Sequence, residues 1–258
     1  MLIDERLKTI TENHPYPLIF ASISGAHLYG YPSPDSDYDL RGVHILPLEE
    51  VLSLGMPKDT ISVDKEVEGL HLDLVTHDAK FYFARLLTRN GNLLDQIFSP
   101  LVVATSEEHN RLRELARQCV TSHHSRHYLG LAASQWKQFE KSEPRRVKPL
   151  LYVFRALLCG TYLMQTGEVE SNLLHLNEVF GLPYVEELVE QKVTGDEQAT
   201  LPNVDASFYE KEYERLQRDL EQASESSILP EVPSEATRSA LNELLLELRF
   251  TQGRADAS

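Results

Sequence analysis

The stretch that decides the fold is "SGAHLYGYPSPDSDYDLRG", residues 24–42. A glycine, Gly25, opens it, and carboxylates crowd its second half at Asp35, Asp37 and Asp39. From Tyr38 onward the residues read as a strand, to about Ile45. On a strand, residues two apart point to the same side, so Asp37 and Asp39 project together. Two parallel carboxylates repel each other unless a cation lies between them. Hard oxygen ligands at that spacing suit Mg²⁺ or Mn²⁺.

Working outward, "LIFASI" (18–23) is an apolar run that ends at Ser24-Gly25 and reads as a buried strand. "LHLDLVT" (70–76) alternates, with Leu70, Leu72 and Leu74 on one face and His71, Asp73 and Val75 on the other. If that strand neighbours the one holding Asp39, Asp73 completes a three-carboxylate cluster. Three carboxylates can hold two metals in the arrangement used for phosphoryl transfer. A calcium loop starting at Asp35 is excluded. Its sixth position would be Leu40 instead of glycine, and its twelfth Leu46 instead of glutamate. Asp-rich turns also occur for purely local reasons, so the wider context has to carry the reading.

That context is a strand, a Gly25 turn, Tyr29-Gly30, the run Ser36 to Asp39, Arg41-Gly42, and a distant aspartate on an alternating strand. It resembles the DNA polymerase β-like nucleotidyltransferase superfamily, in the branch associated with RNA-repair operons. The resemblance implies an α+β fold: a polymerase β-like core, a small mixed sheet with helices, followed by a C-terminal helical domain. It implies that Asp37, Asp39 and Asp73 hold magnesium or manganese, two ions when an NTP is bound. Asp73 would also help deprotonate the attacking hydroxyl. Gly25 would let backbone amides approach the triphosphate, and Ser36 and Arg41 belong to the same substrate-binding motif. Many relatives carry Gly-Ser where this chain has Gly25-Ala26, so either Ser24 or backbone amides would serve instead or triphosphate binding would be weaker. Asn90-Gly91-Asn92 with Asp95 stands where the branch often has Asn-Pro-Asn and an acidic residue.

The chain has 258 residues, 41% of them hydrophobic, enough for a packed core. Its formal net charge of −15 argues against broad, nonspecific attraction to nucleic acid or an anionic membrane. Cys119 and Cys159 sit in apolar helical stretches and read as reduced core residues. The amphipathic N-terminus lacks the apolar centre of a signal peptide, and no apolar run is read as approaching the ~20 residues that span a bilayer. A cytoplasmic protein is expected. After residue 105 helical periodicity dominates, so residues 1–115 are expected to form the core and 116–258 the helical domain.

Between Lys137 and Arg155 six basic residues face two acidic ones, the reverse of the whole chain. Lys148, Tyr152 and Arg155 share one helical face. With the resemblance, Lys148 and Arg155 would neutralise triphosphate and Tyr152 would offer a stacking platform. The alternative is a face that is merely solvated. His123 and His127 have zinc spacing but no third ligand, and read as surface histidines. The expected activity is transfer of an NMP from an NTP to an acceptor hydroxyl, releasing pyrophosphate, with an RNA end as first choice of acceptor. A protein or small-molecule acceptor remains open, as does a non-catalytic nucleotide-binding or toxin–antitoxin-like module of the same fold.

Overall fold

The computed structural model describes residues 3–201 and 205–255. In chain order the elements begin α1 (Glu5–Glu12), β1 (Leu18–Ile23), α2 (Gly25–Tyr29), β2 (Tyr38–His44), α3 (Leu48–Leu52), β3 (Thr60–Val67) and β4 (Leu70–Asp78). They continue α4 (Ala79–Leu86), α5 (Gly91–Phe98), β5 (Val102–Thr105) and α6 (Glu107–Arg117). The helices α7 (His124–Lys141), α8 (Val147–Thr166), α9 (Leu173–Phe180), α10 (Pro183–Thr194), α11 (Ala206–Glu225) and α12 (Glu235–Ala255) complete the chain. The chain divides into two compact units. Among the described residues one holds 3–24, 37–119 and 232–255, the other 25–36, 120–201 and 205–231.

The first unit is built on a mixed five-stranded sheet in the order β3-β4-β2-β1-β5. Only β2 and β4 run parallel. Leu40, Leu72 and Leu74 occupy one face and are buried with Ile23, Leu7 and Ile10, the last two from α1. The alternation read in "LHLDLVT" is therefore real: Leu72, Leu74, Thr76 and Asp78 point inward along β4. β3 is the sheet edge and mostly solvent-facing, and joins β4 through a two-residue turn. Glu68 and Gly69 both have positive φ there, 50° and 75°, as a type I′ hairpin requires.

Gly42 lies where β2 passes close to β1. A Cβ at that position would collide with the Phe20 carbonyl oxygen, so no larger residue fits without moving the strands.

The two-part division expected at residue 115 describes the chain less well than this interleaved one. The last helix, placed with 116–258 by periodicity, packs in the first unit. Leu241, Leu244 and Leu248 are buried. Arg249 reaches both oxygens of Asp78 at 2.6 Å and the Leu46 carbonyl at 2.6 Å. Asp78 is also the N-cap of α4, accepting from the Lys80 N–H at 3.0 Å. One carboxylate thus ends β4, starts α4 and anchors α12.

The second unit is helical around α8, which packs on α7, α9, α10 and α11. The sequence reading missed that α8, at 20 residues, is long and apolar enough to cross a membrane by length and composition alone. In the structure 83% of that apolar window is buried among protein. His123 and His127, expected at the surface, are half-buried at the start of α7.

Candidate active site

The parallel pairing of β2 with β4 sets Asp39 directly opposite Asp73. β3 adds Asp64 opposite Asp73 on the other side, so three aspartates lie in one row across three strands. The sequence reading found two members of this row and missed Asp64, because β3 is a charged edge strand without a clean apolar alternation.

One guanidinium bridges two members of this row. Arg41 Nη2 donates to Asp39 Oδ1 at 2.7 Å and to Asp73 Oδ2 at 2.8 Å. Its Nη1 donates to the Leu40 and Asp73 carbonyls at 2.9 and 2.8 Å. The Arg41, Asp39 and Asp73 side chains keep only 21%, 31% and 30% of their surface exposed. Asp37, one residue before β2, turns elsewhere: its Oδ2 lies 3.7 Å from His71 Nδ1. The other ring nitrogen of His71 is 3.3 Å from Asp64. Arg41 thus bonds Asp39 and Asp73, while the Asp37 carboxylate lies beside His71.

Among the described residues no group of three or more His, Cys, Asp or Glu is arranged to hold a metal. The donor chemistry nevertheless fits a hard cation. Two carboxylates face each other from adjacent strands, and a guanidinium already occupies the position between them. Asp39 and Asp73 are the residues that would hold a divalent ion, with Asp37 two residues before Asp39 in the chain.

Ser24 stands beside this pair: its backbone N–H donates to the Asp39 carbonyl at 2.8 Å. The remaining expected substrate contacts belong to the second unit. Gly25 begins α2 with φ of 63°, in the left-handed region that favours glycine. The Ser36 hydroxyl bonds with Ser33 Oγ at 2.9 Å and donates to Glu197 Oε2 at 3.1 Å. Lys148 also pairs with Glu197. Tyr152 is half-buried and packs edge-on against Tyr29 and Tyr31. Arg155 corrects the expectation of an open, phosphate-facing cation. It is 1% exposed, and its guanidinium carbon lies 3.6 Å from the Tyr29 ring centroid. Helical spacing placed it on the same face as Lys148, but the packing of α2 against that stretch of α8 encloses it.

Two residues that sequence reasoning missed organise this second cluster. Lys192, on α10, is 0% exposed and donates to Ser33 Oγ and Glu197 Oε2, both at 2.7 Å. Burial alone would raise the Glu197 carboxyl, but the Lys148 and Lys192 ammonium groups outweigh it and hold it at about 2. The Glu197 N–H in turn donates to Asp35 Oδ2 at 3.0 Å, which keeps the Asp35 carboxyl below its usual range. Lys192 continues the buried stripe of α10 after Val185, Leu188 and Val189, a cue the periodicity offered, whereas Glu197 lies outside any periodic stretch and is 161 residues from Ser36 in the chain.

The mixed sheet sets an aspartate pair in parallel register on adjacent strands. Residues 1–247 match the model of the RNA repair pathway DNA polymerase beta family, and the chain belongs to that family. It is 29% identical over 245 residues to the uncharacterised protein MJ0002 of Methanocaldococcus jannaschii, covering 92% of this chain and 96% of that protein. It is 27% identical over 229 residues to the uncharacterised protein YcgL of Bacillus subtilis, covering 83% and 85%. Among solved structures it is similar to a nucleotidyltransferase-like protein from Exiguobacterium sibiricum, at 10% identity and a TM-score of 0.33. That match covers 95% of this chain and 77% of the other.

Proposed function

We propose that this protein is a metal-dependent nucleotidyltransferase that moves an NMP from an NTP to the hydroxyl of an RNA end. The observation that carries the reading is the Asp39–Asp73 pair, in register on adjacent strands within a chain of the polymerase β family. A divalent ion bound by Asp39, Asp73 and Asp37 would neutralise charge on the phosphates. Asp73, opposite Asp39, is the carboxylate suited to accept the proton of the attacking hydroxyl. Arg41 keeps the two carboxylates oriented before substrate arrives, and Ser24 fixes the end of β1 against Asp39. The family description supports RNA as acceptor. The surplus of basic residues from Lys137 to Lys148 supports an anionic one. A cytoplasmic location goes with this reading.

The test is incorporation of label from α-labelled NTPs into defined RNAs with Mg²⁺ or Mn²⁺, with an Asp39→Asn variant alongside. Retained NTP binding with no incorporation by the wild-type chain would favour the non-catalytic binding module.

A further inference from the structure

The densest polar convergence outside the aspartate row is on the Glu197 carboxylate. Two ammonium groups, Lys148 and Lys192, and two hydroxyls, Ser33 and Ser36, all point at its oxygens. Lys192 is fully enclosed, while Glu197 and Lys148 keep 19% and 42% of their side-chain surface. A cavity of about 310 Å³ reaches Glu197 and Lys148, with Lys192, Ser33 and Ser36 behind the Glu197 carboxylate, and is lined also by Arg146, Tyr152, Gln135, Gln138 and Gln198. Glu197 is the one acidic residue in that lining. A further groove, lined by Lys137, Lys141 and Arg146, shares Gln138 and Arg146 with it.

A buried lysine needs a partner, and Glu197 supplies one. Yet two ammonium groups and two hydroxyls match the several oxygens and the greater charge of a phosphate better than a single carboxylate. Glu197 sits on the short segment between α10 and the Arg146–Thr200 bridge, not inside a helix or strand, so it can leave without unravelling one. We infer that Lys148, Lys192, Ser33 and Ser36 form a phosphate-binding site that Glu197 occupies in the ligand-free protein and vacates when a phosphate group enters from the cavity. The site is read from its own geometry. Only the identity of the phosphate compounds it meets rests on the nucleotidyl-transfer reading.

The consequence has a sign that a merely structural ion pair would not give. Removing the Glu197 charge leaves Lys192 uncompensated, so Glu197→Gln should unfold at lower temperature, and an added phosphate compound should restore it. The experiment measures thermal unfolding and calorimetric binding of pyrophosphate in EDTA, where the aspartate row has no divalent ion to contribute. Wild type, Glu197→Gln, Glu197→Asp and Lys148→Ala are compared. Glu197→Gln is expected to bind pyrophosphate about tenfold or more tightly than wild type and to gain more in melting temperature. Lys148→Ala is expected to lose binding about tenfold, a magnitude typical of one charge-assisted contact. If Glu197→Gln does not fold, the shortened Glu197→Asp gives the same sign, since its carboxylate reaches the lysines less well. Equal or weaker pyrophosphate binding by the folded Glu197 variant, or unchanged binding by Lys148→Ala, overturns the inference. Parallel titrations with ATP and with 5′-phosphorylated against 5′-hydroxyl RNA identify which source of phosphate the site takes, and no response to any of them overturns it too. None of these readouts requires nucleotidyl transfer, so failure of that activity and failure of this site are separable.

Discussion

Asp39 and Asp73 face each other across the parallel pairing of β2 with β4, and the guanidinium of Arg41 bonds to both. Without that cation the two carboxylates would repel. Arg41→Gln should therefore lower stability in EDTA by about 1 kcal/mol, the order expected for a partly exposed bonded network. It should also free the pair for a divalent ion. Mn²⁺ titration followed by electron paramagnetic resonance is expected to show tighter binding in Arg41→Gln than in wild type. Unchanged or weaker Mn²⁺ binding would mean that Arg41 does not stand in the ion's place.

Asp78 and Arg249 are each only 5% exposed on their side chains and share two 2.6 Å contacts. Losing one partner of a buried pair typically costs about 3–5 kcal/mol. Arg249→Ala is expected to fall in that range by urea denaturation. Substituting the exposed Arg238, paired at 3.7 Å with Glu235 (90% exposed), should change stability by less than about 1 kcal/mol. Equal effects would show that α12 is not anchored through Asp78.

Gly42→Ala forces a Cβ onto the Phe20 carbonyl. The expected loss is about 1–3 kcal/mol, as for other overpacked sites, read as a lower denaturant midpoint. A neutral result would show that β1 and β2 can separate at that point without cost.

Burial lowers His44 and His109 in the first unit, and His124 in the second, to about 4. In the unfolded chain each titrates near 6.5. Between those values the unfolded state binds more protons, so stability is complete above pH 6.5 and declines as pH falls towards 4. Each histidine contributes up to about 1.4 kcal/mol per pH unit in that window. Melting temperature against pH should show the decline, and His109→Gln should make it shallower. A flat profile from pH 6.5 to 4.5 would contradict the buried neutral imidazoles.

Much of the first unit was legible because its strands obey simple rules. Leu18–Ile23 is a continuous apolar run with both faces covered, and Leu70, Leu72 and Leu74 alternate with polar residues. Placing Asp73 beside Asp39 required strand order, which no local pattern contains; family resemblance supplied it. β3 escaped notice because an edge strand bearing Asp64, Lys65 and Glu66 has little apolar face to show. Helical spacing correctly put Lys148, Tyr152 and Arg155 on one stripe, but spacing cannot say how deeply a neighbour covers it. Arg155 is enclosed against Tyr29 while Lys148, two turns earlier, stays partly open. Lys192 falls on the buried stripe of α10, where a lysine is out of place, but its partners, like those of Glu197, come from contacts across long sequence separation that no local pattern shows.

The central claim is that the Asp39–Asp73 pair carries nucleotidyl transfer. Its most direct test supplies one NTP labelled at the α-phosphate and, separately, at the γ-phosphate, with Mg²⁺ and RNAs of defined ends. The account predicts that α label enters RNA and γ label leaves as pyrophosphate. Asp39→Asn and Asp73→Asn should each reduce incorporation at least about 10²-fold while remaining folded by circular dichroism. Incorporation of γ label, or α incorporation that persists in both folded variants, would contradict it.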